Sequence, residues 1–215
     1  MCCGDIYLSK KHKTQKSFSL KLGCRGQNFS FIACVLKIKK GLDETSKLPV
    51  SHAINQGGWC VYGCGANSDY KIVGKPYSKH QSFTVPVKLA FPPNDIKAVA
   101  CGDNQSFFLD ESGVVWTSGV NTNGRIYVDE FTKGKPTKLK NLPRIVDLVS
   151  GLFHSLFLDE NGVVYGMGRN EEGQLGRKDE AVIAPVIGLP KIRKLAPIFG
   201  TTSAFLDEDG TVWMV

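Results

Sequence analysis

Four features of this chain have residue types that could carry chemistry. They are the His154-Ser155 step, the Cys60-x-x-x-Cys64 pair, the glycines at 63–65 and 166–173, and the lysines 10, 11, 13 and 16. A histidine beside a serine suggests a base next to a nucleophile, but no Gly-x-Ser-x-Gly elbow accompanies it. Zinc needs a second ligand pair; none follows Cys64, and the first histidine after it is His80, so Cys64 reads as a small apolar strand residue. A glycine loop that cradles a phosphate opens onto a helix N-terminus, and neither glycine stretch is followed by a 3.6-residue apolar period. These are turn and close-packing glycines. Cys2-Cys3 could accept acyl chains, yet no membrane segment adjoins them. A Lys phosphate loop and a His-Glu-x-x-His motif are also missing from the sequence. No enzyme, metal or cofactor is expected.

The lysines belong to an uneven charge distribution. The 215 residues carry 27 Lys and Arg against 20 Asp and Glu, a net charge of +7. Residues 1–56 hold 10 of the bases and 3 of the acids, and residues 57–215 hold 17 of each. The basic character is therefore N-terminal, with Lys10, Lys11, Lys13 and Lys16 as its densest patch. Such a patch suits phosphates or nuclear import, or is a solvated tail. Apolar residues make up 42% of the chain, enough for a core. The longest apolar stretch, 31–36, falls well short of the roughly 18–20 residues of a membrane span, so no membrane partner is expected. No apolar stretch near the N-terminus ends in small residues, so no secretory signal is expected. Seven cysteines, all in the first half, do not make an even disulfide framework, which points to a reducing interior.

Positioning any of these residues falls to a repeat. Val99–Trp116, Leu148–Tyr165 and Pro197–Trp213 align, with Gly102, Gly151 and Gly200 spaced 49 residues apart. Gly113 to Gly162 is 49 residues and Gly162 to Gly210 is 48. A partial earlier copy, 60–67, matches 163–170. Each unit reads as four short strands; in the middle unit they fall near 136–139, 145–149, 154–158 and 163–167. Asp-Glu-x-Gly at 110–113, 159–162 and 207–210 is a hairpin turn in which Gly takes the positive-φ position. Trp116, Tyr165 and Trp213 follow three residues later, placed to pack between sheets. Four strands per unit in tandem indicate propeller blades. The expected fold is all-β: a partial, open β-propeller of about three to four four-stranded antiparallel blades.

The middle unit carries Gly151, His154, Ser155, Leu158, Gly162, Val164, Tyr165, Gly168, Asn170, Gly173, Gln174, Leu175 and Gly176. This pattern resembles the regulator of chromosome condensation repeat. The preceding unit keeps Gly102, Ser106, Leu109, Gly113, Trp116 and Gly119, but has Gln105 for the His and lacks the Gln-Leu-Gly ending. The last unit keeps Gly200, Ser203, Leu206, Gly210 and Trp213. The resemblance covers about 57–215, divided into a partial unit 57–95, then 96–144, 145–191 and 192–215. Residues 26–32 imitate 102–108, so residues 1–56 read either as a degenerate repeat with an insertion or as an unrelated tail.

Proteins of this family close seven blades, and about three and a third are visible here. The resemblance thus implies an arc that is a fragment or is completed by another chain. It also implies protein partners met by loops at the blade ends, here Asp103, Asn104 and Gln105, Phe153 and His154, and Thr202. The expected function is a non-enzymatic binding scaffold in the cytoplasm or nucleus. Two alternatives are nucleotide exchange on a Ran-like small GTPase by differential affinity, and chromatin or nucleic-acid association through the basic tail.

Overall fold

The computed structural model describes residues 20–22, 33–36, 62–66, 82–89, 96–102, 105–119, 136–151, 153–177, 183–196 and 202–215. Its strands run consecutively into four antiparallel meanders, with no helix among the described residues. The first sheet holds β1 (Leu20–Leu22), β2 (Ala33–Leu36), β3 (Tyr62–Ala66) and β4 (Ser82–Lys88). The second holds β5 (Ile96–Cys101), β6 (Gln105–Asp110), β7 (Val115–Gly119) and β8 (Thr137–Lys138). The third is β9 (Ile145–Ser150), β10 (His154–Asp159), β11 (Val164–Gly168) and β12 (Ala184–Pro185). The fourth is β13 (Ile192–Leu195), β14 (Ala204–Asp207) and β15 (Val212–Met214). This is a partial, open β-propeller.

The grouping of strands differs from the sequence reading at one point. Thr137–Lys138 closes the second sheet, pairing Trp116 with Lys138 and Thr117 with Thr137, and does not open the third. A two-residue strand makes few ladder bonds, so its allegiance is set by the neighbour it meets in space. The third sheet obtains its fourth strand from Ala184–Pro185.

Side-chain alternation along β6 and β10 builds the junctions between blades. Phe107 and Leu109 on one face of β6 meet Ile145, Leu148, Phe157 and Met167 of the third sheet. The Phe107 and Phe157 rings pack edge to face, with centroids 5.5 Å apart at 77°. One residue out of phase, Leu156 and Leu158 face the fourth sheet and its Ile192, Leu195 and Phe205. Burial of each such ring or aliphatic side chain contributes about 2 kcal/mol. Thus β10 gives Phe157 to one junction and its two leucines to the next.

The hairpin glycines add a backbone clamp. Gly113 has φ +86 and Gly162 has φ +85, which a side chain would resist. Their carbonyls accept the amides of Ile145 and Ile192, the first strand residues of the following blades, each at 2.9 Å. A Cβ on Gly113 would stand 3.0 Å from the Ile145 carbonyl, so turn geometry and blade spacing are coupled.

Candidate functional site

The two ends of each blade are built differently. At the hairpin end an aspartate organises the turn. Asp110 Oδ1 accepts from the Ser112 amide (3.0 Å), the Ser112 hydroxyl (2.6 Å) and the Val114 amide (2.9 Å). Its Oδ2 accepts from Trp116 Nε1 at 2.9 Å. Asp207 repeats this with the Thr211 amide (2.7 Å) and Trp213 Nε1 (2.8 Å). Those bonds, led by the indole, hold the Asp207 carboxyl below its ordinary range. Asp159 accepts from the amides of Asn161 and Val163, but the Tyr165 side chain has no N–H to match the indole. Burial, with the Asp159 charge second, raises the Tyr165 phenol. Two of the three aromatics that sequence places between sheets, Trp116 and Trp213, are therefore tied first to their own hairpins. Tyr165 also packs against the junction core.

The opposite end holds the residues that sequence assigned to a partner. Gly102 and Gly151 make equivalent tight turns, donating to the Gln105 carbonyl (2.9 Å) and the His154 carbonyl (2.8 Å). Gln105 and His154, expected to face a partner, are instead fully buried, and that assignment is corrected. The reason is the strand register. His154 lies on the same face of β10 as Leu156 and Leu158, so its ring enters the junction with the fourth sheet. There Nε2 lies 3.0 Å from Ser203 Oγ. Ser203 Oγ already donates its single proton to the Gln174 carbonyl at 2.7 Å. It must therefore accept from His154, which fixes the neutral Nε2–H tautomer. Desolvation lowers the His154 pKa from 6.5 to about 4, which keeps the ring uncharged. This is a structural histidine, committed to a blade junction and unsuited to act as a base near neutrality.

Other repeat positions serve the same architecture. Ser106, Leu109, Gly119, Ser155, Leu158 and Gly168 are buried, and the Ser155 and Ser150 hydroxyls meet at 2.9 Å. Leu206 is half-buried, while Gly210 is exposed. Asn170 accepts the Leu175 amide at 2.7 Å and donates to the Arg177 carbonyl, folding the loop that bends through Gly173 and Gly176. The loop buries Leu175 beside Gly166, where an added Cβ would stand 2.8 Å from Leu175 Cδ2. Gly200, Asp103, Asn104 and the lysines 10, 11, 13 and 16 lie outside the described residues.

Above the buried histidine, Phe153 and Thr202 reach the surface, half-buried and exposed respectively. Sequence reasoning missed the neighbour of Phe153. The Arg169 guanidinium lies 5.4 Å from the Phe153 ring centroid, and its amide donates to the Phe153 carbonyl at 2.9 Å. Glu171 pairs with the same guanidinium. Gly168, with φ +107, brings the two strands close enough for this: a Cβ there would sit 2.4 Å from the Phe153 carbonyl. The only sequence signal was Arg169 immediately after a strand-ending glycine. Among the described residues no group of three or more His, Cys, Asp or Glu could hold a metal ion.

Family models of the regulator of chromosome condensation (RCC1) repeat match residues 60–109, 96–125 and 145–174. Residues 60–125 and 145–174 are repeats of the RCC1 type. Solved structures agree on the fold. Human WBSCR16 matches with a TM-score of 0.64 and 17% identity over 93% of this chain and 56% of that one. Prp20p from Saccharomyces cerevisiae, described with its binding properties to Gsp1p and histones, matches at 0.56 and 20% identity, over 74% of this chain and 37% of that one. The structure of Kap60 bound to yeast RCC1 (Prp20) matches at 0.61 and 14% identity, over 93% and 51%. This RCC1-repeat chain thus spans about half the length, or less, of the solved chains it resembles. No curated protein matches the sequence. No helix among the described residues is long and apolar enough to cross a membrane.

Proposed function

We propose that this chain is a non-enzymatic protein-binding scaffold whose contact surface is the rim formed by Phe153, Arg169 and Thr202. The observation that carries the reading is the Arg169 guanidinium 5.4 Å from the Phe153 ring centroid, both residues half-buried, beside a junction locked by His154 and Ser203. Aromatic and arginine side chains dominate binding energy when they are held rigid, because little rotamer entropy remains to be lost. The polar groups best suited to catalysis in this region, His154 and Ser203, are engaged with each other.

Capture experiments with the immobilised chain test this. Partners held by the wild type should be lost from Phe153→Ala and Arg169→Ala variants of unchanged thermal midpoint. An identical captured set would refute the rim as the contact surface.

The likeness to Prp20p, whose description includes binding to Gsp1p, favours a second reading: nucleotide exchange on a Ran-like small GTPase. Tighter binding of the nucleotide-free GTPase would release nucleotide with no reactive side chain. Acceleration of labelled-GDP release would establish it, and an unchanged rate would leave the scaffold reading.

Two strands from residues 1–56, β1 and β2, pair into the first sheet with β3. This supports a degenerate repeat with an insertion in that segment over an unrelated tail. Association with nucleic acid or chromatin rests on Lys10, Lys11, Lys13 and Lys16, and a cytoplasmic or nuclear site of action suits each of these readings. Blades supplied by another chain would complete the arc.

A further inference from the structure

The three hairpins that share the frame Asp-Glu-x-Gly differ at x, which is Ser112, Asn161 and Asp209 in turn. All three residues are exposed. The Ser112 hydroxyl is tied to Asp110 Oδ1 at 2.6 Å. Asn161 donates its backbone amide to Asp159 Oδ1 at 2.9 Å, and its carboxamide has no hydrogen-bond partner among the described residues. The next residue is glycine, with no Cβ to shield its amide nitrogen from that carboxamide. The Gly162 amide reaches the Asp159 carbonyl across 3.3 Å, beyond the ordinary range and longer than the 3.0 Å between Gly113 and Asp110. An unengaged carboxamide and a weakly held amide therefore adjoin in one exposed turn.

Gly162 is also a point where the third blade holds the fourth. Its carbonyl accepts the Ile192 amide at 2.9 Å. A Cβ on it would stand 3.1 Å from Lys191 Cβ and 3.2 Å from both the nitrogen and the carbonyl oxygen of Ile192. The backbone has no slack there.

We propose that Asn161-Gly162 is a self-modification site, and that deamidation there to iso-aspartate unfastens the third blade from the fourth. The Gly162 nitrogen gives its proton to solvent hydroxide and attacks Asn161 Cγ. The new N–Cγ bond closes a five-membered succinimide. The Cγ–Nδ2 bond breaks, and its nitrogen takes a proton from water and leaves as ammonia. A second water then opens the ring. Breaking the N–Cγ bond gives ordinary aspartate. Breaking the bond from the same nitrogen to the backbone carbonyl carbon gives iso-aspartate, whose main chain runs through Cβ and Cγ and is one carbon longer. Nothing is oxidised or reduced; OH replaces NH2, a gain of one mass unit. Ordinary aspartate leaves the turn intact, because Asp209 already fills that place in the fourth-sheet hairpin. The longer iso form pushes Gly162 off its register with Ile192.

The test ages the 215-residue chain in warm, mildly alkaline buffer, with mass spectrometry of its tryptic peptide 145–169 and urea denaturation of the intact protein. The wild type should gain one mass unit at position 161, and its midpoint should fall as the iso-aspartate fraction grows. Asn161→Ser, carrying the residue of the second hairpin, should keep both mass and midpoint through the same treatment. Unaged Asn161→Asp should denature with the unaged wild type. If the free peptide 145–169 deamidates and the folded chain does not, the site is overturned. The unfastening is overturned if the midpoint holds while iso-aspartate accumulates, or falls equally in aged Asn161→Ser. A midpoint already lowered in unaged Asn161→Asp would also overturn it, since charge and not backbone length would then be the cause.

Discussion

His154 donates from Nε2 to Ser203 Oγ across 3.0 Å, linking two residues 49 positions apart, one full repeat. The acceptor is held in turn by the Gln174 carbonyl of the loop that follows β11. One buried polar chain therefore joins a strand, a loop and the next blade inside an otherwise apolar junction. A network of this kind adds stability when satisfied and destabilises strongly when broken, because its members cannot turn to water.

Acid should weaken this junction before the carboxylates titrate. The His154 pKa is about 4 in the fold and 6.5 in the unfolded chain, lowered by burial. Between those values the unfolded state binds the extra proton, so stability rises with pH through the window. The contribution is fully present above pH 6.5 and is lost as pH falls toward about 4, up to about 3 kcal/mol in all. Urea midpoints at pH 7, 6 and 5 measure it. The wild type should lose stability over that range, and a His154→Gln variant, carrying the residue found at position 105, should show a flatter profile.

Asp110→Ala removes the acceptor for two amides, one hydroxyl and one indole. The expected cost is about 3 kcal/mol, since the abandoned donors are partly buried. Denaturation followed by tryptophan fluorescence checks it, and Trp116 emission should move toward that of a solvated indole. A midpoint within error of wild type would contradict the hairpin role given to this carboxylate.

Three glycines should rank by what surrounds them. Gly168→Ala combines φ +107 with backbone 2.4 Å from the new methyl, so it should be the most destabilising, by about 3 kcal/mol or more. Gly166→Ala meets the ends of Leu175, Leu156 and Val186 side chains, which can yield, and should cost about 1–2 kcal/mol. Gly210→Ala has φ +87 but nothing within 4 Å, leaving only backbone strain of about 1 kcal/mol. Thermal midpoints of the three variants test the order.

The repeat made the blades legible because its signals are local. Asp110, Asp159 and Asp207 start hairpins whose glycines share nearly one φ, and Phe107 and Phe157 announce the alternation of their strands. What escaped the sequence depended on partners far along the chain. Thr137–Lys138 pairs with β7 through only two residues, too short a run to reveal which sheet it serves. His154 and Gln105 are polar and follow turns, which reads as exposure. Their burial comes from a neighbouring blade, and in the case of His154 from a serine one period away. The Phe153–Arg169 pair was hidden for the same reason, since two strands must meet at Gly168 before the guanidinium can reach the ring.

The central claim is that successive repeats are fastened to one another through the His154–Ser203 contact. A double-mutant cycle of His154→Ala and Ser203→Ala, read by urea denaturation at pH 7, addresses it most directly. A coupling energy of about 1 kcal/mol or more is expected, with the double variant less destabilised than the two single losses added together. Strict additivity, with coupling near zero, would mean that the two residues do not meet and would contradict the stacking of the blades described here.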